Sequence, residues 1–202
     1  MSIDLLFEQL KHPNPNLRSR AMWELADLRD QTTIPRLISA LGDEDVVFRR
    51  AAVKALGAIG VDAVPAIVES LLHSDDVTIR GSAAKALAQV AVNHPEVAFP
   101  PAGLDALKQG MADDNPVVHI ASAMALGEVG VAAVEVLREA VTTTENLGLA
   151  VSALSALGGI PDERAAQTLK AIAQDPVAEP YLREIAISAL SRLDLVKKFK
   201  RN

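Results

Sequence analysis

The chain has 202 residues, half of them hydrophobic but only 3% aromatic, with a net charge of −6 and no cysteine. The absence of thiols excludes a disulfide framework, a thiolate metal or iron–sulfur site and a cysteine nucleophile, and the acidic balance argues against general nucleic-acid affinity. The opening MSIDLLFEQLK has no basic leader before an apolar core, and no apolar run reaches the roughly 18 residues of a membrane span, so a cytoplasmic-type chain without a transmembrane segment is expected.

In chain order, a first helix is predicted to end at Leu10, and the turn HPNPN leads to Asn14, whose side chain can cap a second helix through Leu17, Ala21, Leu25 and Leu28. The arrangement then returns. IPRLISAL ends at Leu41, and Asp45 caps a helix through Phe48, Ala52, Leu56 and Ile59. VPAIVESLL ends at Leu72, and Asp76 caps a helix through Ile79, Ala83, Leu87 and Val90. A further helix reaches Met111, and Asn115 caps one through Val118, Ser122, Leu126 and Val129. Asn146 opens a helix through Leu149, Ala153, Leu157 and Ile160, and Glu179 with Pro180 opens the last, through Leu182, Ala186, Leu190 and Leu193.

The leucines Leu25, Leu56, Leu87, Leu126, Leu157 and Leu190 are spaced by 31, 31, 39, 31 and 33 residues. Around each, the positions eight and four before and three after form one helical stripe, large at the ends and small in the middle. A helix pair of about 31 residues cannot bury such stripes alone, so the pairs must stack. The fold expected is an all-α solenoid of about six two-helix repeats: 1–29, 30–60, 61–92, 102–130, 131–160 and 161–195, with an insertion at 93–101 and a basic tail at 196–202.

Four residues after each cap stand Arg18, Arg49, Arg80, His119, Ala150 and Arg183. This Asp-x-x-x-Arg element resembles HEAT repeats. The resemblance implies a structural ladder of hydrogen bonds between successive repeats, made by Asn14, Arg18, Asp45, Arg49, Asp76, Arg80, Asn115, His119, Glu179 and Arg183, and weakened at His119 and Ala150. No metal-ligand spacing links His12, His73, His94 and His119, and the glycines of LGAIG, LGEVG and LGGI are expected to end helices. Second helices usually line the concave face of a HEAT stack. On that face the front half carries Trp23, Arg50, Lys54 and Lys85, and the back half Ile120, Met124 and Val151, apolar residues off the packing stripe that call for a partner. The Pro-rich insertion adds Phe99 as a second candidate contact.

The segments LFEQLKHPNPNLRSRAMWELA, RRAAVKALGAIGVDAVP, VVHIASAMALGEVG and YLREIAISALSRLDLVKKF are similar to the cyanobacterial phycobilisome lyase-like family, the E and F subunits of phycobilin lyases and their chaperone-like relatives. By length and N-terminal segment the chain resembles the smaller members associated with phycoerythrin maturation. The resemblance implies a protein-binding accessory factor in bilin attachment or phycobiliprotein folding. No acid/base pair is evident among its residues, so a chaperone or accessory subunit, at most a bilin lyase subunit, is expected over an independent catalyst, with no metal, no intrinsic cofactor beyond a transiently bound bilin, and a hetero-oligomeric partner. Trp23, Arg50, Lys54 and Lys85 could supply cations for bilin propionates and an apolar wall for the rings. A HEAT partner of an A-type iron–sulfur carrier, or a general adaptor, stands as the alternative.

Overall fold

The computed structural model describes residues 2–199; Lys200, Arg201 and Asn202 of the basic tail lie outside the described residues. Its elements are α1 (Ile3–Leu10), α2 (Pro15–Leu28), α3 (Thr33–Ser39), α4 (Val46–Ile59), α5 (Val64–His73), α6 (Val77–Asn93), α7 (Pro101–Gly110), α8 (Pro116–Val129), α9 (Val134–Thr143), α10 (Leu147–Leu157), α11 (Glu163–Gln174) and α12 (Pro180–Phe199). Two compact units divide inside α8, Met1–Ala121 and Ser122–Asn202. In the first, α2 packs on α4 and α4 on α6, while α3 packs on α5 and α5 on α7. In the second, α10 packs on α9 and α12, and α11 on α12.

Side-chain oxygens start the second helices. Asn14, Asp45, Asp76 and Asn115 accept the amides of Asn16, Val47, Thr78 and Val117 at 2.9, 2.8, 2.6 and 2.9 Å, and Asn146 and Glu179 those of Leu149 and Leu182 at 3.1 and 2.9 Å. Each bond satisfies a first-turn donor that no helical carbonyl can reach. The small positions Ala21, Ala52, Ala83, Ser122, Ala153 and Ala186 are fully buried, as are the leucines Leu25, Leu56, Leu87, Leu126 and Leu157. The ends of the stripe depart from expectation in the outer repeats. Leu17 and Leu28 are 37% and 51% exposed, because α1, with 8 residues against the 14 of α2, is too short to cover both ends of its partner. Leu190 is only half-buried.

The glycines divide into two roles. Gly60 and Gly130, with φ of 81° and 76°, break the chain into the 3-10 turns that precede α5 and α9. Gly57, expected to end a helix, lies inside α4, where an added Cβ would sit 2.3 Å from the Cβ of Gln89 on α6. It is there for close approach of two helices. The same breaks explain a second departure: stretches 46–73 and 116–143 reach the length and mean hydropathy, 1.7 and 1.8, of a membrane span. Neither is one rod, since each is two helices joined by a 3-10 turn at a positive-φ glycine.

The arginines of the expected ladder mostly serve their own turns. Arg18 donates to the carbonyls of His12 and Pro13 at 2.6 and 2.8 Å, and Arg49 donates to that of Asp43. A guanidinium four residues into the helix folds back over the preceding turn more readily than it spans a whole repeat. Arg80 does both: it donates to the Ser74 carbonyl at 3.0 Å and, through Nε and a terminal nitrogen, to both oxygens of Asp113 in the next repeat at 2.7 and 3.2 Å. Other inter-repeat ties run elsewhere, from Arg29 to Asp62 at 2.6 Å and from Arg36 to Asp4 at 2.8 Å, with Arg36 also over the Phe7 ring. His119 is buried in α8.

The hydrogen bond from Arg80 is the main cause that holds the Asp113 carboxyl below its ordinary value of 3.8, and the reciprocal bond raises Arg80. A carboxyl depressed in the folded state contributes stability above its unfolded pKa and loses it as pH falls through the folded one. Asp113→Asn is therefore expected to cost roughly 1.5–3 kcal/mol at neutral pH. It should also flatten the decline in stability below pH about 4, measured by urea titration across that range.

Candidate functional site

In the first unit, α2 and α4 enclose a groove of about 240 Å³ lined by the basic Arg18, Arg50 and Lys54 and the apolar Met22, Val47 and Ala51. The groove lies between two helices that pack on each other, with the buried Met22 and Ala51 in its lining and longer charged side chains beside them. Among the described residues no acidic side chain lines it. Arg50 and Lys54 were candidates from the sequence; Arg18, Met22 and Val47 were not. The repeat pattern reads Arg18 as a ladder residue, and Met22 and Val47 stand beside the stripe positions Ala21 and Phe48, where the period gives them no role.

Trp23, Lys54 and Lys85 each stand two residues before the anchoring leucine of their helix, so they share one face across α2, α4 and α6. All are exposed, Trp23 by 47%. Trp23 and Lys85 do not line the groove. Among the described residues Arg50, Lys54 and Lys85 have no ion-pair partner. On α8, Ile120 and Met124 are 43% and 67% exposed, and Val151 of α10 is half-buried.

Phe99 has a different place. It is half-buried, and the edge of its ring lies against Gly103, where an added Cβ would meet it at 2.9 Å. The ring packs against the first turn of α7. The other end of the insertion is held by His94, whose Nε2 lies 3.2 Å from the Ala58 carbonyl near the end of α4. That role was not legible, because a lone His outside the repeat register has no positional equivalent to read it against.

In the second unit a larger groove of about 620 Å³ runs between α9 and α11. Its charged groups are largely engaged with one another: Arg138 donates to Thr168 at 3.0 Å and to Glu135 at 3.1 Å, and Arg164 reaches Glu135 at 3.0 Å. Arg164 also pairs with Asp162 at 2.9 Å, and that hydrogen bond is the leading cause that lowers the Asp162 carboxyl. The network ties first helices of adjacent repeats together. Among the described residues no three His, Asp or Glu side chains are grouped to hold a metal ion.

The model of the HEAT-repeat family matches residues 3–88 and 104–191. Phycocyanin operon protein Z of Pseudanabaena tenuis is 52% identical over the full length of both chains. The bilin biosynthesis protein CpeZ of Synechococcus is 35% identical over 46% of this chain and 50% of its own length. The chain belongs to the HEAT-repeat, phycobilisome lyase-like family. Among solved structures, the CpcE–CpcF complex of phycocyanin lyase from Nostoc superposes with a TM-score of 0.50, at 19% identity, covering 76% of this chain and 96% of that one. Human deoxyhypusine hydroxylase superposes at 0.54, with 20% identity over 96% of this chain and 84% of its own; at such identities the likeness is one of fold alone.

For this HEAT protein the gap between the two matched segments, 89–103, contains the insertion. The structure shows what that stretch does locally. Helix α6 extends to Asn93, and His94 and Phe99 then pin the loop back onto the repeats on either side.

Proposed function

We propose that this chain is a protein-binding accessory factor for bilin attachment to, or folding of, a phycobiliprotein subunit, and that it holds its client on the second-helix face of its first unit. The observation that carries the reading is the exposed row of Trp23, Arg50, Lys54 and Lys85 beside an acid-free groove, in a chain whose net charge is −6. Cations held away from acids on a stable scaffold retain their charge for a partner. Trp and Arg are also over-represented among residues that dominate binding energy. The names of the relatives, phycocyanin operon protein Z and bilin biosynthesis protein CpeZ, support the bilin side of the reading and offer nothing for an iron–sulfur carrier.

In this function the chain contributes positioning. Arg50 and Lys54 can pair with carboxylates, and Met22, Val47 and Ala51 add apolar lining. A bilin, where one passes through, would meet its propionates and rings with the same two kinds of surface. A pull-down from a cyanobacterial lysate, scored for phycobiliprotein subunits against iron–sulfur assembly proteins, tests the assignment. Phycobiliprotein subunits are expected to be enriched. Trp23→Ala combined with Arg50→Ala is expected to reduce their capture by about tenfold or more, with helicity and melting close to wild type. Enrichment of iron–sulfur proteins in their place, or undiminished capture by the double variant, refutes it.

A further inference from the structure

Helices α4 and α6 carry Arg49, Arg50, Lys54, Arg80 and Lys85 and no Asp or Glu at all, although the chain holds 26 acidic residues against 20 basic ones. The acids nearby in sequence lie in the turns, at Asp43, Glu44, Asp45, Asp75 and Asp76, or in the 3-10 turn and α5, at Asp62 and Glu69. Around α4 and α6, the acids thus stand in the turns and α5, and the bases along these two second helices. Arg49 and Arg80 spend their guanidinium groups on turn carbonyls and Asp113. Arg50, Lys54 and Lys85 are left exposed and, among the described residues, without an ion-pair partner.

Resting on the function proposed above, we infer that the segment of the client held here is an acidic amphipathic helix. Charge complementarity selects the carboxylates. Packed helices lie about 8–10 Å apart, so Lys54 on α4 and Lys85 on α6 present cations at roughly that spacing. A helix crossing them matches it with carboxylates seven residues apart, about 10.5 Å along its axis. Apolar side chains three and four residues before the carboxylate that meets Lys54, on the α2 side, would fall toward the groove at Met22 and Val47. The face consists of helices whose backbone groups are already paired, with no strand edge to receive an extended chain. A helix brings its own backbone bonds and needs none from the surface.

A synthetic fluorescein-labelled peptide with glutamates at seven-residue spacing and leucines three and four residues before the first of them tests this, measured by anisotropy against its glutamine counterpart and against a single-stranded oligonucleotide. The glutamate peptide is expected to bind about tenfold tighter than the glutamine one, with a preference that shrinks at high salt. Lys54→Glu with Lys85→Glu should abolish the preference, and Lys54→Ala with Lys85→Ala should reduce it, providing a second route if the reversed variant folds poorly. Equal binding of the two peptides, no binding of either, tighter binding of the oligonucleotide, or a preference untouched by both double variants overturns the inference. If phycobiliprotein capture persists while the peptide fails, the accessory function stands and only the chemistry of the held segment is wrong.

Discussion

Leu87→Ala is expected to lower the unfolding free energy by roughly 2–5 kcal/mol, read as a reduced urea midpoint. Leu87 is completely buried in α6, a helix that packs on both α4 and α5. Truncation removes its transfer energy and leaves a cavity that three rigid helices cannot close. The alanines around it, Ala83, Ala84 and Ala86, are also fully buried, so no long neighbouring side chain on α6 can swing in to fill the space. Repeats stabilise one another through their interfaces, so the loss should appear in both flanking repeats by hydrogen exchange. An equally stable variant would mean that Leu87 does not anchor the stack.

Gly57→Ala and Gly127→Ala are expected to move stability in opposite directions, although both glycines follow an anchoring leucine in nearly the same motif, LGAIG and LGEVG. At Gly57 the new Cβ would lie 2.3 Å from the Gln89 Cβ and 3.0 Å from its backbone carbon. Relief requires α4 and α6 to separate, at a cost of about 1–3 kcal/mol that outweighs the gain of up to about 1 kcal/mol in helix propensity. At Gly127 the nearest atom, the Ala156 Cβ, is 3.5 Å away, an ordinary contact. There the propensity gain stands alone, so a stabilisation of about 0.5–1 kcal/mol is expected. Thermal or urea unfolding of the two variants side by side decides it; two shifts of the same sign would contradict the helix spacing at one site or the other.

The repeated caps, small positions and leucines were legible because each is a local rule applied again and again: an Asn or Asp oxygen meets amides two or three residues away, and a 3.6-residue period selects one face. Period and cap together therefore specify the helices of this HEAT protein, and register places Trp23, Lys54 and Lys85 on one face. Several features depended on what lies across the gap between helices. Whether Gly57 ends a helix or admits a neighbour depends on Gln89, 32 residues on. Arg18 and Arg80 share a motif, yet the bonds of Arg18 stay in its own turn while Arg80 also reaches the next repeat, because Asp113 stands within 2.7 Å of Arg80. Phe99, in a loop that sequence alone leaves open to solvent, is drawn down onto Gly103 because a residue without a Cβ leaves a seat for its ring. The groove of Arg18, Arg50 and Lys54 belongs to two helices at once. Periodicity along one chain carries the direction of each side chain, but distances between helices are set by the side chains that meet there, and only the tertiary structure brings those together.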